Sequence, residues 1–232
     1  MVSNKEKVLL KFPKIKTGIE RLDSLLRGGF EPGLVHVFGP PNSGKSNFAM
    51  QLVVNVLNYF PSSAPLWFDT NGNFDFNRLL ELASMNEDLL QNFRLVQPEG
   101  YDEFLFYIKK LNDYVNMNTK IIVIDPITYF YTLMINKHNW FRLRHELSEI
   151  ILGKLLGLTI FNQIIIILIN QIRSKVNSNY KQEAVCYDII ERHSKYSIKF
   201  DNENTKTLEI CKLRNVKVNI KFNFKIEKNN IS

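Results

Sequence analysis

A chain of 232 residues, 45% hydrophobic and 23% charged, has the makeup of an ordinary globular protein and can bury a full sheet between helix layers. Its net charge of +7 and isoelectric point near 9.3 favour an anionic partner without naming one. The longest apolar run, Ile164 to Ile169, is too short to span a bilayer, and the first seven residues lead into no signal-peptide core. The expectation is a cytoplasmic protein with no membrane partner. Cys186 and Cys211, the two cysteines, lack metal-ligand spacing and read as buried thiols.

In chain order, the first predicted strand is Leu34-Val35-His36-Val37-Phe38. It runs into Gly39-Pro40-Pro41-Asn42-Ser43-Gly44-Lys45-Ser46, which fits the phosphate-binding pattern G-x-x-x-x-G-K-[ST]. A helix follows, with Phe48, Leu52, Val53, Val56 and Leu57 on one face. Leu66 to Phe68 reads as a strand, Phe76 to Ala83 as a helix, Phe93 to Val96 as a strand and Tyr101 to Val115 as a helix. Ile121 to Ile124 is a buried strand, Arg144 to Leu156 a helix, and Ile164 to Ile169 a second buried strand, apolar throughout as a central parallel strand is. This alternation predicts an α/β doubly wound sheet with helices on both faces.

The last forty residues change character. Tyr196 to Phe200, Thr207 to Leu213 and Val216 to Glu227 lack intervening helices, so they are expected to add antiparallel strands at one edge. In the last of them apolar residues alternate with Lys217, Asn219, Lys221, Asn223 and Lys225. The lysine stripe reads either as a phosphate track or, the plainer choice, as the charged guard of an edge strand.

A strand, a glycine-rich turn and a helix N-terminus bring backbone N–H groups onto phosphate oxygens. Residues Gly39 to Ser46 therefore predict a nucleoside triphosphate site. Lys45 would reach the β- and γ-phosphates, and the Ser46 hydroxyl would hold Mg²⁺. Asp125, closing the strand Ile121–Ile124, is the expected second metal-side group. Its alternative is a turn residue before Pro126. Lone His36 and His193 read as packing or surface residues.

The segment Thr17-Gly18-Ile19-Glu20-Arg21-Leu22-Asp23-Ser24-Leu25-Leu26-Arg27-Gly28-Gly29-Phe30, then Pro32-Gly33 and the P-loop, resembles the start of the RecA/RadA recombinase superfamily. The small size resembles its archaeal RadB branch, implying one RecA-like ATPase core over residues 1–232 without an N-terminal helical DNA-binding domain. The likeness runs from about Thr17 to Ile231, specific over the first fifty residues and looser after Arg173. It implies ATP and Mg²⁺ as cofactors, DNA (single-stranded) and a RadA-type recombinase as partners, association with the nucleoid, and a possible homo-oligomer.

The resemblance also gives expectations for single residues. The family carries a water-activating Glu after its second strand; here Phe68-Asp69-Thr70-Asn71-Gly72 places Asn71 there. An amide orients water but takes no proton, so a general-base contribution of ~10²–10⁴-fold would be missing unless Asp69 or Asp75 stands in. Weak or absent hydrolysis is expected. Arg78 matches the arginine that stacks on adenine, and Asn170-Gln171 the sensor segment, with Gln171 reading the γ-phosphate. The two DNA loops would be Leu133 to Arg144, with Lys137, His138, Trp140, Arg142 and Arg144, and Ile172 to Tyr187, with Arg173, Lys175, Tyr180 and Lys181. Basic residues among aromatics suit phosphate contact and base stacking.

Three other readings compete. A GTPase would use Asp69-Thr70-Asn71-Gly72 and Asn136-Lys137-His138-Asn139, but Asn139 replaces the Asp that grips guanine. A strand-exchange recombinase needs a Phe-x-x-Ala plug for its neighbour. In Phe12-Pro13-Lys14-Ile15 a branched side chain replaces the alanine methyl, which argues against self-polymerisation. A KaiC-like signalling ATPase would carry adjacent acidic pairs after the P-loop helix region, which the stretch Phe68 to Phe74 does not have.

Overall fold

The computed structural model describes residues 12–134, 140–173, 183–202 and 205–227. A short helix α1 (Glu20–Leu25) precedes strand β1 (Gly33–Gly39), and the P-loop opens the long helix α2 (Lys45–Tyr59). Strand β2 (Leu66–Asp69), helices α3 (Phe76–Leu82) and α4 (Glu87–Leu90), and strand β3 (Arg94–Val96) follow. Helices α5 (Tyr101–Lys109) and α6 (Leu111–Tyr114) lead to strand β4 (Ile121–Asp125) and helix α7 (Tyr129–Met134). Beyond them lie α8 (Trp140–His145), a π-helical stretch Glu146–Leu152, α9 (Gly153–Phe161) and β5 (Ile165–Arg173). The chain closes with β6 (Glu183–Ala184), α10 (Tyr187–His193), β7 (Tyr196–Asp201), β8 (Thr207–Leu213) and β9 (Val216–Asn223).

The strands form one sheet in the order β3-β2-β4-β5-β1-β7-β8-β9, with β6 paired to β5. Every neighbour from β3 through β7 is parallel, whereas β8, β9 and β6 join antiparallel. Strand alternation sorts the buried residues into two cores. Val35, Val37, Ile121, Val123, Ile165 and Ile167 face α2, while Leu34, Ile122, Ile124, Ile166 and Leu168 face α5, α7 and the π-helical stretch. This is the doubly wound sheet with antiparallel edge strands that the sequence pattern predicted, and the RecA-type architecture that the resemblance implied.

Several boundaries differ from the periodicity. The predicted helix Tyr101–Val115 breaks at Lys110, whose ψ of 8° leaves the helical range, yet Phe104, Ile108 and Leu111 stay on one buried face. The helix predicted from Arg144 begins at Trp140 and runs on to Phe161 through the π-helical stretch. Arg142 and Arg144 therefore stand on a helix and not in a loop. The last strand ends at Asn223, short of Glu227. There the amide of Phe224 donates to the Lys206 carbonyl at 3.1 Å and its ring packs edge-on to Phe200 at 5.1 Å. Cys186 is buried but Cys211 only half so.

Phe12–Ile15 packs on its own chain. Ile15 is fully buried and exchanges two backbone hydrogen bonds with Phe30, at 2.9 and 2.8 Å; the Phe12 ring lies 5.4 Å from that of Phe60. Glu31 pins this region, meeting Lys14 at 3.2 Å, Lys195 at 3.0 Å and Arg214 at 3.3 Å. Burial alone would raise the pKa of Glu31; hydrogen bonds from Lys195 and Lys14 and the charges of Lys195 and Arg214 outweigh it and lower the pKa.

A carboxylate held below its unfolded pKa stabilises the fold above that value, and the contribution fades as pH falls through the folded one. Glu31→Gln is expected to cost about 1 kcal/mol at pH 7 in low salt, the upper end for a partly exposed network. Urea unfolding at pH 7 and pH 3 checks this: the difference between wild type and variant should shrink at the lower pH.

Candidate nucleotide-binding site

The carboxyl ends of β1, β2, β4 and β5 converge at one edge of the parallel sheet, where such folds bind ligands. Gly39 pairs with Gln171 and Asp69 with Asp125 across neighbouring strands. The P-loop is thereby set beside the sensor and metal-side positions of the sequence reading.

The first and last glycines of the loop are needed for different reasons. At Gly39 a Cβ would lie 2.1 Å from the carbonyl oxygen of Phe200, so only glycine allows β1 to pass β7 so closely. At Gly44 (φ +102°) a Cβ would lie 2.6 Å from Cδ1 of Ile226. Asn202 Nδ2 and Lys206 Nζ donate to the carbonyls of Pro41 and Asn42 at 3.3 and 3.2 Å. Residues from the antiparallel extension thus wall one side of the P-loop, a role that local sequence signals do not report.

Ser43 and Lys45 are buried and Ser46 half-buried. Lys45 Nζ donates to the Pro40 carbonyl at 2.6 Å and to Ser43 Oγ at 3.3 Å. Ser46 Oγ donates to Asp125 Oδ2 at 2.6 Å, joining the P-loop helix to β4. Burial depresses the Lys45 ammonium to about 8, partly offset by the charge of Asp125. It raises the Asp125 carboxyl to about 6, against the Ser46 hydrogen bond and the Lys45 charge and with the help of Asp69. Both groups are under-solvated as charges. An anion beside Lys45 and a cation beside Asp125 would each favour the ionised form.

The donor set fits Mg²⁺ and a triphosphate. A hydroxyl and a carboxylate oxygen are the hard ligands that Mg²⁺ accepts alongside phosphate oxygens and water. The fifteen-residue α2 has no side-chain cap at its N-terminus, leaving its first amides for an anion.

The turn after β2 is fastened from two sides. Thr70 donates from its amide to the Asp125 carbonyl at 3.0 Å and from its hydroxyl to the Pro126 carbonyl at 2.8 Å. Asp69, almost fully buried, accepts from the amides of Asn73 and Phe74 at 3.1 Å each and from Gln97 Nε2 at 2.9 Å. Asp75 caps α3 by accepting from the Arg78 amide at 3.0 Å. Both acids are engaged in shaping the turn that carries the half-buried Asn71.

Arg78 lies at the same edge. Its Nε donates to Asn47 Oδ1 at 2.5 Å, Nη1 to Glu81 Oε2 at 2.9 Å and Nη2 to the Glu227 carbonyl at 2.7 Å. These three bonds hold the guanidinium in place at the nucleotide edge of the sheet. Gln171 is exposed at the end of β5 and makes no side-chain hydrogen bond among the described residues.

Arg142 is exposed on α8, whereas Arg144 reaches back to Asp188 on α10 at 2.5 Å and over the Trp140 ring at 5.8 Å. Arg173 ends β5 beside Glu183 of β6. Lys137, His138, Lys175, Tyr180 and Lys181 lie outside the described residues. Lys217, Lys221 and Lys225 are exposed, and Glu209 stands across from Lys221, which supports the solvated-edge reading of the stripe. His36 is fully buried, and His193 Nδ1 lies 2.9 Å from the Ile189 carbonyl.

Gly44→Ala is expected to displace Ile226 and strain the left-handed backbone. Nucleotide affinity should fall by about tenfold and stability by roughly 1–3 kcal/mol, as calorimetric titration with an ATP analogue and thermal unfolding would measure.

Comparison with known proteins places this geometry. The Rad51 family profile matches residues 8–215. The chain is 34% identical over 163 residues to the DNA repair and recombination protein RadB of Thermococcus kodakarensis, covering 68% of this chain and 70% of that one. It is 28% identical over 203 residues to RadB of Methanocaldococcus jannaschii, covering 82% and 88%. The crystal structure of the RadB recombinase superposes with a TM-score of 0.77 at 26% identity, over 94% of this chain and 98% of that one. Among the described residues no helix is long and apolar enough to cross a membrane. The chain belongs to the Rad51 family and is a RadB-like protein of the RecA superfamily.

Proposed function

We propose that this chain is a nucleotide-gated accessory protein of DNA repair and homologous recombination. It binds ATP with Mg²⁺, hydrolyses it slowly or not at all, and engages single-stranded DNA and a RadA-type recombinase in the cytoplasm, at the nucleoid. Residues Gly39 to Ser46 hold the phosphates, Ser46 and Asp125 the metal, and Arg78 the base. Bound Mg²⁺ would neutralise charge on the phosphates. The carrying observation is the turn at Asn71: its two neighbouring acids, Asp69 and Asp75, already serve as hydrogen-bond acceptors for backbone amides. A site that grips the triphosphate without a base to activate water suits a switch better than a motor.

Arg142, exposed on α8, is the described residue best placed for a phosphate contact, with Lys137, Arg173, Lys175 and Lys181 as further candidates from the sequence. Arg144 serves through its tie to Asp188. Autonomous strand exchange is the second reading, and the packing of Phe12 and Ile15 on their own chain argues against a plug offered to another copy. Any homo-oligomer would use a different surface.

ATP turnover with and without single-stranded DNA tests the reading on wild type and Asn71→Glu. Wild-type turnover is expected far below ~1 s⁻¹, the low end for ordinary enzymes, with the variant gaining up to ~10²-fold. A wild-type rate above that bound would remove the switch. Arg142→Glu should weaken DNA binding at low salt and flatten its salt dependence; if wild type binds no DNA at low salt, the recombination role fails.

A further inference from the structure

The P-loop has fewer amides to offer an anion than its length suggests. Pro40 and Pro41 carry no N–H, so the first backbone donors past Gly39 are the amides of Asn42 and Ser43. Asn42 sits at φ +59°, an uncommon left-handed conformation for a residue with a side chain. The stretch of backbone that carries these two amides therefore needs support from outside.

That support comes from residues more than 160 positions away. Asn202, just past β7, donates from Nδ2 to the Pro41 carbonyl at 3.3 Å. Lys206, just before β8, donates from Nζ to the Asn42 carbonyl at 3.2 Å. Among the described residues the one cis peptide bond is Asp125–Pro126, so both of these peptide units are trans, with N–H pointing opposite to C=O. Holding the Pro41 carbonyl from the β7–β8 side turns the Asn42 N–H away from that side and into the loop. Holding the Asn42 carbonyl does the same for the Ser43 N–H. Pro40 has the reverse arrangement, its carbonyl accepting from the buried Lys45 ammonium at 2.6 Å. The peptide unit that gives its oxygen to Lys45 is thus the one whose nitrogen, that of Pro41, has no proton to offer.

Lys206 does more than tether the loop. An ammonium on a peptide oxygen is a charge-assisted hydrogen bond, and it polarises the unit so that the N–H at the other end is a stronger donor. Its own place is fixed as well. The Phe224 amide donates to the Lys206 carbonyl at 3.1 Å, and the Phe224 ring packs on Phe200, whose carbonyl closes on Gly39.

We propose that Lys206 and Asn202 are positioning residues for a polyphosphate: they aim the amides of Asn42 and Ser43 at its oxygens, and so set phosphate affinity without touching the base. Donors oriented in advance need no reordering when the anion arrives. The inference rests on nucleotide binding at the P-loop, as proposed above, and deepens it by assigning part of the affinity to residues outside the motif.

The test is calorimetric titration, with Mg²⁺ present, of two probes: adenosine 5′-(β,γ-imido)triphosphate and inorganic tripolyphosphate. Wild type, Lys206→Met, Lys206→Arg, Asn202→Ala and Lys217→Met are compared, and thermal unfolding without ligand checks each fold. Lys206→Met should lose about tenfold in affinity for both probes, the worth of roughly one hydrogen bond, and Asn202→Ala about threefold. Lys206→Arg, which restores a cationic donor, should stay within about threefold of wild type. Lys217→Met removes the same charge from an exposed position on β9 and should change either affinity less than about twofold. Wild-type tripolyphosphate binding by Lys206→Met, a loss confined to the nucleotide analogue, an equal loss in Lys217→Met, or no rescue by arginine overturns the proposal. Should Lys206→Met not fold, Asn202→Ala decides: its loss on both probes supports the proposal and wild-type affinity overturns it. Wild type that binds neither probe would instead remove the nucleotide reading, and this proposal with it.

Discussion

The hydrogen bond from Ser46 to Asp125 joins residues 79 positions apart, and the rest of the site is arranged around it. It fixes where the first turn of α2 meets the end of β4, and so the spacing between the P-loop backbone and the Asp125 carboxylate. The contact places a half-buried carboxylate within the field of a buried ammonium, and desolvation pushes each toward neutrality. Neither residue is improved as a stabilising element by sitting there. Their placement makes sense as preorganisation: the charges are desolvated in advance for a ligand that carries the complementary ones.

Much of this was legible in the sequence because the signals are local and redundant. The strand–loop–helix at Leu34 to Leu57 combines an apolar run, a glycine pattern and a helical period, and all three agree. Ile121–Ile124 and Ile164–Ile169 are apolar at every position because each faces a core on both sides. Alternation at the C-terminal strands likewise survived into structure. The family resemblance added the water-activating, base-stacking and sensor positions, which pattern alone does not single out.

What the sequence could not supply depends on contacts between distant segments. Asp69 and Asp75 looked like possible stand-ins for a missing base until their acceptor geometry placed them as fasteners of the turn and of α3. Arg144 looked like a loop cation, yet helical packing turns it toward Asp188. His36 carried no period or motif beyond a polar residue in an apolar strand, and Asn170 entered only as the neighbour of Gln171 in the sensor segment. That anomaly, a histidine in the middle of the P-loop strand, is the signal that could have drawn attention to the buried contact between this imidazole and the Asn170 amide, 3.4 Å apart.

The wall that Phe224 and Ile226 form beside Gly44 has a consequence for how the protein is made. The P-loop emerges early from the ribosome, but its flank is supplied by residues translated near the end of the described chain. A nascent chain that has released β1 through β6 carries the whole phosphate-binding motif and lacks the side that shapes it. The site is therefore completed by the closing of the sheet's last strands.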